Sequence, residues 1–112
     1  MGDALPEVTR LYDARPERPH NAAGIGDFWY EPEIWSLPLS PAARVLYAGL
    51  CSFLGHGEIN RKDLRNTLKG RSDAEVAGAL EELVRHNLLA TEPVPKDNLA
   101  SYTVRSVQEF ET

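Results

Sequence analysis

The chain has 112 residues, and its 17 acidic and 12 basic side chains give a formal net charge of −5. A chain of this length is expected to hold one domain with a modest core. Its acidity is unusual for an autonomous nucleic-acid-binding protein, since such proteins tend to be basic. The single cysteine excludes an internal disulfide and fits a reducing compartment. Because the sequence has neither a secretory signal nor an apolar run near the roughly 20 residues of a membrane span, we expect a cytoplasmic protein.

Residues 1–27 are predicted to form a flexible N-terminal tail. They mix prolines and glycines with alternating charges, a composition that does not sustain a packed element. A short docking helix is the alternative, because Leu5, Val8, Leu11 and Tyr12 are spaced for one helical face.

The domain is predicted to begin with an aromatic segment that contains both tryptophans, Trp29 and Trp35. Large aromatic side chains bury a large area and seldom stay in water, so we expect the segment to cover the core as an edge strand or extended stretch. A self-association surface is one alternative. Stacking on single-stranded bases is another, although the neighbouring Glu31 and Glu33 would repel a phosphate backbone.

The first helix is predicted over residues 42–54. Ser40 can cap it, and Pro41 fits the first position because its missing N–H has no helical partner there. Gly55 ends it. Between these limits the apolar residues recur at helical spacing. They are Ala43, Leu46, Tyr47, Leu50, Phe53 and Leu54.

A second helix is predicted over residues 61–69. Asn60 can cap its start, with the Asp63 carboxylate accepting from the Asn60 N–H in return, and Gly70 can end it in the left-handed conformation. Its core contacts are predicted to come from Leu64 and Leu68, which lie four residues apart.

The third helix is predicted to start with a capping box between Ser72 and Glu75 and to end near Asn87, which suits the left-handed position after a helix. Its apolar stripe is Val76, Leu80, Leu83 and Val84. A helix, a glycine turn and a longer helix are typical of a helix-turn-helix.

Two strands are predicted after the helices, over residues 88–92 and 101–105, with the turn-rich loop 93–98 between them as a wing. Ile59 could add one rung to this small sheet. Residues 107–112 are predicted to be a frayed C-terminal end. The order of elements predicts an α+β winged helix-turn-helix domain over residues 28–106, with a three-helix core and a small antiparallel β-wing.

Three stretches carry a likeness to a known family. They are FWYEPEIWSLPLSPAARVLYAGL, INRKDLRNTL and SDAEVAGALEELVRHNLL, which together reach from Phe28 to Leu89. This pattern resembles the winged-helix domain of plasmid and phage replication-initiator proteins and the N-terminal domain of the primosomal protein DnaD. The resemblance covers roughly residues 28–102 and implies a winged-helix fold in a protein of replication or transcription control.

The charge pattern predicts a DNA-associated module that contacts phosphates with low sequence specificity. The residues expected to contact phosphates are Arg61, Lys62, Arg65, Lys69 and Arg71, with Lys96 on the wing assisting. Base reading is not expected, because the third helix starts with Asp73, Ala74 and Glu75 where such helices present basic or amide side chains.

The alternative function is a protein-interaction or oligomerisation module without DNA binding. It would use Trp29, Trp35 and the small-residue stretch around Gly78. Glycine inside a helix costs about 1 kcal/mol relative to alanine. We therefore expect Gly78 to allow close approach by a neighbouring helix or by a partner. A possible homo-oligomer follows from this alternative.

No pattern in the sequence indicates catalysis, a metal site or a cofactor. His20, His56 and His86 lack cysteine or histidine neighbours at zinc-ligand spacing. The Gly24-Ile25-Gly26 run lacks a third glycine for a phosphate-binding loop. Cys51 lies among apolar residues and is interpreted as a small core side chain. We therefore expect a protein that is not an enzyme.

Overall fold

The computed structural model describes residues 5–25, 28–92 and 98–112. In this part of the chain the fold is mixed α+β, with three α-helices, a four-stranded sheet and a two-stranded sheet. The strands are β1 (Val8–Asp13), β2 (Ala23–Ile25), β3 (Phe28–Tyr30), β4 (Glu58–Asn60), β5 (Leu89–Thr91) and β6 (Leu99–Val104). The helices are α1 (Pro41–Phe53), α2 (Arg61–Thr67) and α3 (Asp73–Arg85). Short 3₁₀ helices cover Pro32–Ser36, Leu54–His56 and Val107–Glu109.

The start of α1 confirms the predicted cap. The Ser40 hydroxyl accepts a hydrogen bond from the Ala43 N–H at 3.2 Å, and Pro41 is the first helical residue. A carboxylate from α3 reinforces this end, because Glu82 accepts from both the N–H and the hydroxyl of Ser40 at 2.8 and 2.7 Å. The negative charge therefore lies at the helix N-terminus, where the helix dipole stabilises it.

Reciprocal capping boxes start α2 and α3, as predicted. In α2 the Asn60 side chain accepts from the Asp63 N–H at 2.9 Å, and the Asp63 carboxylate accepts from the Asn60 N–H at 3.1 Å. Ser72 and Glu75 make the same exchange in α3. The turn between the helices passes through Gly70, whose φ of +83° is in the left-handed region that glycine adopts without strain.

The end of α3 is the predicted Schellman motif. Asn87 has a φ of +66°, its N–H donates to the Val84 carbonyl, and the Leu88 N–H donates to the Leu83 carbonyl at 2.9 Å. Leu88 is thereby turned into the core and β5 follows directly. The predicted starts of α2 and α3 and the predicted end of α3 are therefore confirmed.

The prediction of a flexible tail over residues 1–27 is wrong for the two strands that lie within it, β1 and β2. β1 is the second strand of the four-stranded sheet, whose order is β4-β1-β6-β5. It pairs parallel with β6 over its whole length, and its first three residues pair antiparallel with β4. Thr9 and Leu11 face the core, so the helical spacing of the apolar residues is a coincidence of an alternating strand.

The C-terminal residues are also ordered, contrary to the predicted frayed end. Val107 is buried, the Glu111 N–H donates to the His86 carbonyl at 2.9 Å, and the Phe110 ring stacks on the His86 ring. The buried Glu31 carboxylate accepts from the Ser106 hydroxyl and the Val107 N–H at 3.0 and 3.1 Å. This carboxylate joins the aromatic segment to the end of the chain.

A single core lies between the three helices and the sheet. The helices bury the predicted stripes: Ala43, Leu46, Tyr47 and Leu50 from α1, Leu64 from α2, and Val76, Leu80 and Leu83 from α3. The Tyr47 hydroxyl reaches across this core and donates to the Arg105 carbonyl. Burial raises the pKa of Tyr47 above its usual range, so the hydroxyl stays protonated and keeps donating.

Candidate functional site

The five basic residues predicted to contact phosphates lie on α2 and the following turn, but they do not act as one group. Arg61 is half-buried, and its Nε donates to the Leu5 carbonyl at 3.1 Å, so it holds the N-terminal segment against the helix. Lys62 and Lys69 are exposed and form no ion pair with a described residue. Lys96 lies outside the described residues.

The other two arginines of this set, Arg65 and Arg71, pair with carboxylates in the first turn of α3. Arg65 binds Asp73 through two parallel contacts, from Nε at 2.9 Å and from Nη2 at 2.8 Å, and Arg71 binds Glu75 at 3.0 Å. The hydrogen bond from Arg65 lowers the pKa of Asp73, and bonds from the Ser72 backbone and then Arg71 lower that of Glu75. Both acids therefore stay charged at neutral pH and neutralise the arginines.

The exposed face of α3 contains no side chain suited to reading bases near its N-terminus. The exposed residues of the helix are Ala74, Glu75, Gly78, Glu81 and Arg85. Arg and Lys read guanine, and Asn and Gln read adenine. The one basic residue of this face is in the last turn, three turns away from the end that enters the groove in helix-turn-helix proteins.

A second surface, between α1, α2 and the 3₁₀ helix Pro32–Ser36, has a different character. It is an open groove of about 390 Å³, called the apolar groove from here on. Its walls include Phe28, Trp35, Val45, Phe53, Asn66 and Thr67. Trp35 and Val45 keep 42% and 43% of their surfaces exposed. The orientation of the Trp35 ring is fixed by an edge-on contact with the Tyr30 ring and by a 3.3 Å hydrogen bond from its Nε1 to the Tyr30 hydroxyl.

The floor of the apolar groove is set by a close contact between α1 and α2. A Cβ added at Gly49 would meet Thr67 Cγ2 at 3.1 Å, so glycine lets the two helices approach. Sequence reasoning missed this face. The sequence does carry a signal for this face, because α1 has no charged side chain after Arg44. The side of α1 opposite the core stripe therefore presents small or apolar residues, namely Val45, Ala48 and Ser52.

The close helix approach that was predicted at Gly78 is not found there. Gly78 is exposed, and a Cβ added to it would have no heavy atom within 4 Å. The tight helix contact is at Gly49 instead, because the neighbour of α1 on that side is α2.

Trp29 is buried, unlike Trp35, and the predicted shared surface of the two tryptophans does not form. Its ring packs under the Arg15 guanidinium, 3.7 Å from Cζ to the ring centroid. Arg15 also donates to the Trp29 carbonyl at 2.7 Å and pairs with Asp13, while its own side chain is only 1% exposed. The stacked pair fastens β3 to the end of β1.

Cys51 lies beside this pair, with Sγ 3.4 Å from the Arg15 Nη1 that donates to it. Burial raises the pKa of the thiol to about 12, against the smaller opposing effect of the arginine. The thiol is therefore protonated at neutral pH, as expected of a packed core side chain.

Comparison of the chain with protein-family models, curated proteins and solved structures found no match. Within the described ranges, no helix combines the length and hydropathy needed to cross a bilayer. In the same residues no three His, Cys, Asp or Glu side chains are grouped to hold a metal ion. The geometry of the two surfaces is therefore the basis on which a function can be proposed.

Proposed function

We propose that this protein is a winged-helix module that binds another protein through the apolar groove. The order α1, β4, α2, α3, β5, β6 supports the winged-helix assignment, with the hairpin of β5 and β6 as the wing. β1 is an addition to that plan, since it lies between β4 and β6. The proposal is for binding rather than catalysis, in keeping with a buried, protonated Cys51.

One observation carries the proposal. Among the described residues three large apolar side chains are exposed, and two of them, Trp35 and Val45, meet in one groove. Exposed apolar side chains that occur singly need no explanation, but a contiguous group in a concave surface is typical of an interaction site. Tyr12, the third, does not line this groove and serves as the matched control.

Photocrosslinking tests the proposal. A benzophenone amino acid placed at residue 35 should give a discrete adduct with a protein in an extract of the source cells, and the same group at residue 12 should not. Introducing Val45→Glu alongside the probe at residue 35 should abolish the adduct. Equal labelling from both positions, or an adduct that survives Val45→Glu, would exclude the apolar groove as the docking surface. Circular dichroism checks that each variant is folded.

Weak, non-specific DNA association is a second candidate, favoured by one observation. Lys62 on α2 and Lys69 in the turn after it are exposed and form no ion pair with a described residue. Two phosphate contacts predict a salt slope of about −1.8. Fluorescence anisotropy with a labelled random duplex tests this: binding should vanish in the Lys62→Glu, Lys69→Glu double variant, and binding that persists excludes these lysines.

A further inference from the structure

We infer that the occupant of the apolar groove is an acidic amphipathic helix of another protein. This inference rests on the proposed function and adds to it the chemistry of the partner: large apolar side chains at helical spacing, flanked by carboxylates. Three features carry it, namely the shape and apolar lining of the groove, the small number of polar side chains in its walls that remain available for hydrogen bonds, and the sign of the charges at its rim.

The size of the groove suits a few large side chains. A volume of about 390 Å³ is at the lower end of the roughly 300–1,000 Å³ of ligand sites. The walls are the flank of α1 and the rings of Phe28 and Trp35, with Gly49 at the bottom. Amphipathic helices dock in this way, with residues spaced three and four apart anchored in a groove between helices.

The walls favour a helical occupant over an extended one. An extended peptide needs donors and acceptors for its own backbone, whereas a helix satisfies its backbone internally. Most polar side chains of the lining are already used within the protein: Ser52 donates to the Gly49 carbonyl and Thr67 donates to the Leu64 carbonyl, both at 2.5 Å. The exposed Asn66 amide is the one polar side chain of the lining without a partner among the described residues, which is too few groups to pair an extended backbone. Of the residues that line the groove only Phe28 belongs to a strand, whereas the others lie on α1, α2 and a 3₁₀ helix.

The rim of the apolar groove is positive, although the chain as a whole has a net charge of −5. Lys69 lines the adjoining cleft that shares Val45 and Thr67 with the groove. Lys62 precedes the groove residue Asn66 by four positions on α2, so it extends along the same face. None of the residues that line the groove or this cleft is acidic.

These charges distinguish the acidic partner from a second copy of this chain. In a two-fold dimer the same patch meets itself, so a contact centred on the groove would bring both lysines of one copy toward those of the other. An acidic helix would instead place carboxylates beside Lys62 and Lys69 while its apolar face covers Trp35 and Val45. Complementary charge of this kind also speeds association and makes it dependent on salt.

A peptide-display selection on the intact protein tests the inference. Random peptides of about 16 residues are selected for binding to the wild type and depleted against the Val45→Glu variant. The enriched sequences should have a net negative charge and apolar residues at spacings of three and four. Enriched sequences that are neutral or basic, or a selection that yields no binder dependent on Val45, would overturn the inference.

Charge reversal provides the quantitative arm, measured by anisotropy of one selected peptide. The Lys62→Glu, Lys69→Glu double variant should weaken binding about tenfold, as expected for two exposed ion pairs. The control Arg10→Glu, Arg85→Glu makes the same change in net charge away from the groove and should leave the affinity within about twofold. Equal losses in both variants would show that only net charge matters and would overturn the assignment to this rim.

The two hypotheses fail in distinguishable ways. If the crosslink at residue 35 forms but the selected peptides are not acidic, the docking surface stands and the partner chemistry is wrong. If the protein doubles its mass with concentration and Val45→Glu returns it to a monomer in sedimentation experiments, a second copy fills the groove and the inference is overturned. If the residue 35 crosslink is absent, the proposed function itself fails.

Discussion

Removing the two carboxylates at the start of α3 should strengthen DNA binding and steepen its salt dependence. Asp73→Asn and Glu75→Gln take away the acidic partners of Arg65 and Arg71, which now lie 2.8 and 3.0 Å from those carboxylates. Glutamine can still complete the capping box with Ser72, so we expect the helix to remain folded. The two arginines then lose these carboxylate partners and can contact phosphates beside Lys62 and Lys69.

The magnitude follows from the number of phosphate contacts. With Lys62 and Lys69 alone the wild type should have a slope of about −1.8, which is about a tenfold loss of affinity between about 50 and 200 mM salt. With Arg65 and Arg71 added, the slope should be about −3.6 and the loss about 150-fold over the same range. The difference between the slopes measures how far the ion pairs neutralise the arginines.

Anisotropy of a labelled random duplex across this salt range is the assay. The control variant Glu92→Gln, Glu111→Gln also removes two negative charges, but neither carboxylate pairs with those arginines. Its slope should match that of the wild type. A wild-type slope already near −4.5 would mean that all five basic residues contact phosphates, and the neutralisation argument would be refuted. Equal slopes in the test and control variants, or no binding by either at low salt, would refute it as well.

Three further predictions concern stability, measured by urea unfolding. Thr9→Val should raise the free energy of unfolding by about 1 kcal/mol, because the buried hydroxyl of Thr9 has no hydrogen-bond partner among the described residues. A lower free energy of unfolding in this variant would contradict the prediction. Gly78→Ala should raise the free energy of unfolding by about 1 kcal/mol, because alanine favours the helix more than glycine does. Gly49→Ala should raise it by less, because the added Cβ would press against Thr67 on α2. Equal increases in the two variants would contradict the close contact at Gly49. Desolvation by burial raises the pKa of Glu82, but the hydrogen bonds from Ser40 at the α1 cap outweigh it and hold the pKa below the usual 4.5. The charged carboxylate therefore stabilises the folded protein above about pH 4.5, and this stabilisation is lost as the pH falls through the lowered pKa. Glu82→Gln should therefore lose less stability than the wild type between about pH 5 and pH 3, and an unchanged pH profile would contradict the sign.

The helices of this protein could be predicted because their boundaries are set by hydrogen bonds between residues close together in the sequence. A capping box joins residues three apart, and a Schellman ending joins residues five apart, so both are complete within a short window. Asn60 and Asp63, like Ser72 and Glu75, exchange the expected hydrogen bonds. Predictions of this kind need no knowledge of what the helix packs against.

The N-terminal strand could not be predicted in the same way, because its partners are distant in sequence. β1 gains its backbone hydrogen bonds from β4 and β6, which lie roughly fifty and ninety residues further along the chain. The prolines and charges around β1 correctly indicate weak local structure. They carry no information on the backbone hydrogen bonds that the other strands of the sheet supply. Arg15 shows the same effect, since a charged residue in an apparent tail is buried against Trp29 and Asp13.

Local patterns in the sequence predict the three helices with their caps, the hairpin that follows them and the core side chains of the helices, because each depends on periodicity or on neighbours within a few positions. The core residues Leu5, Leu11 and Val107 lie in stretches predicted to be unstructured, and their burial follows from long-range packing. The same packing decides which charges stay unpaired, since Arg65 meets Asp73 across the turn between two helices. It also decided where apolar surface stays exposed, because Val45 and Trp35 come together only when α1, α2 and the aromatic segment pack. Both functions proposed for this chain depend on those long-range contacts, and no local pattern contains them.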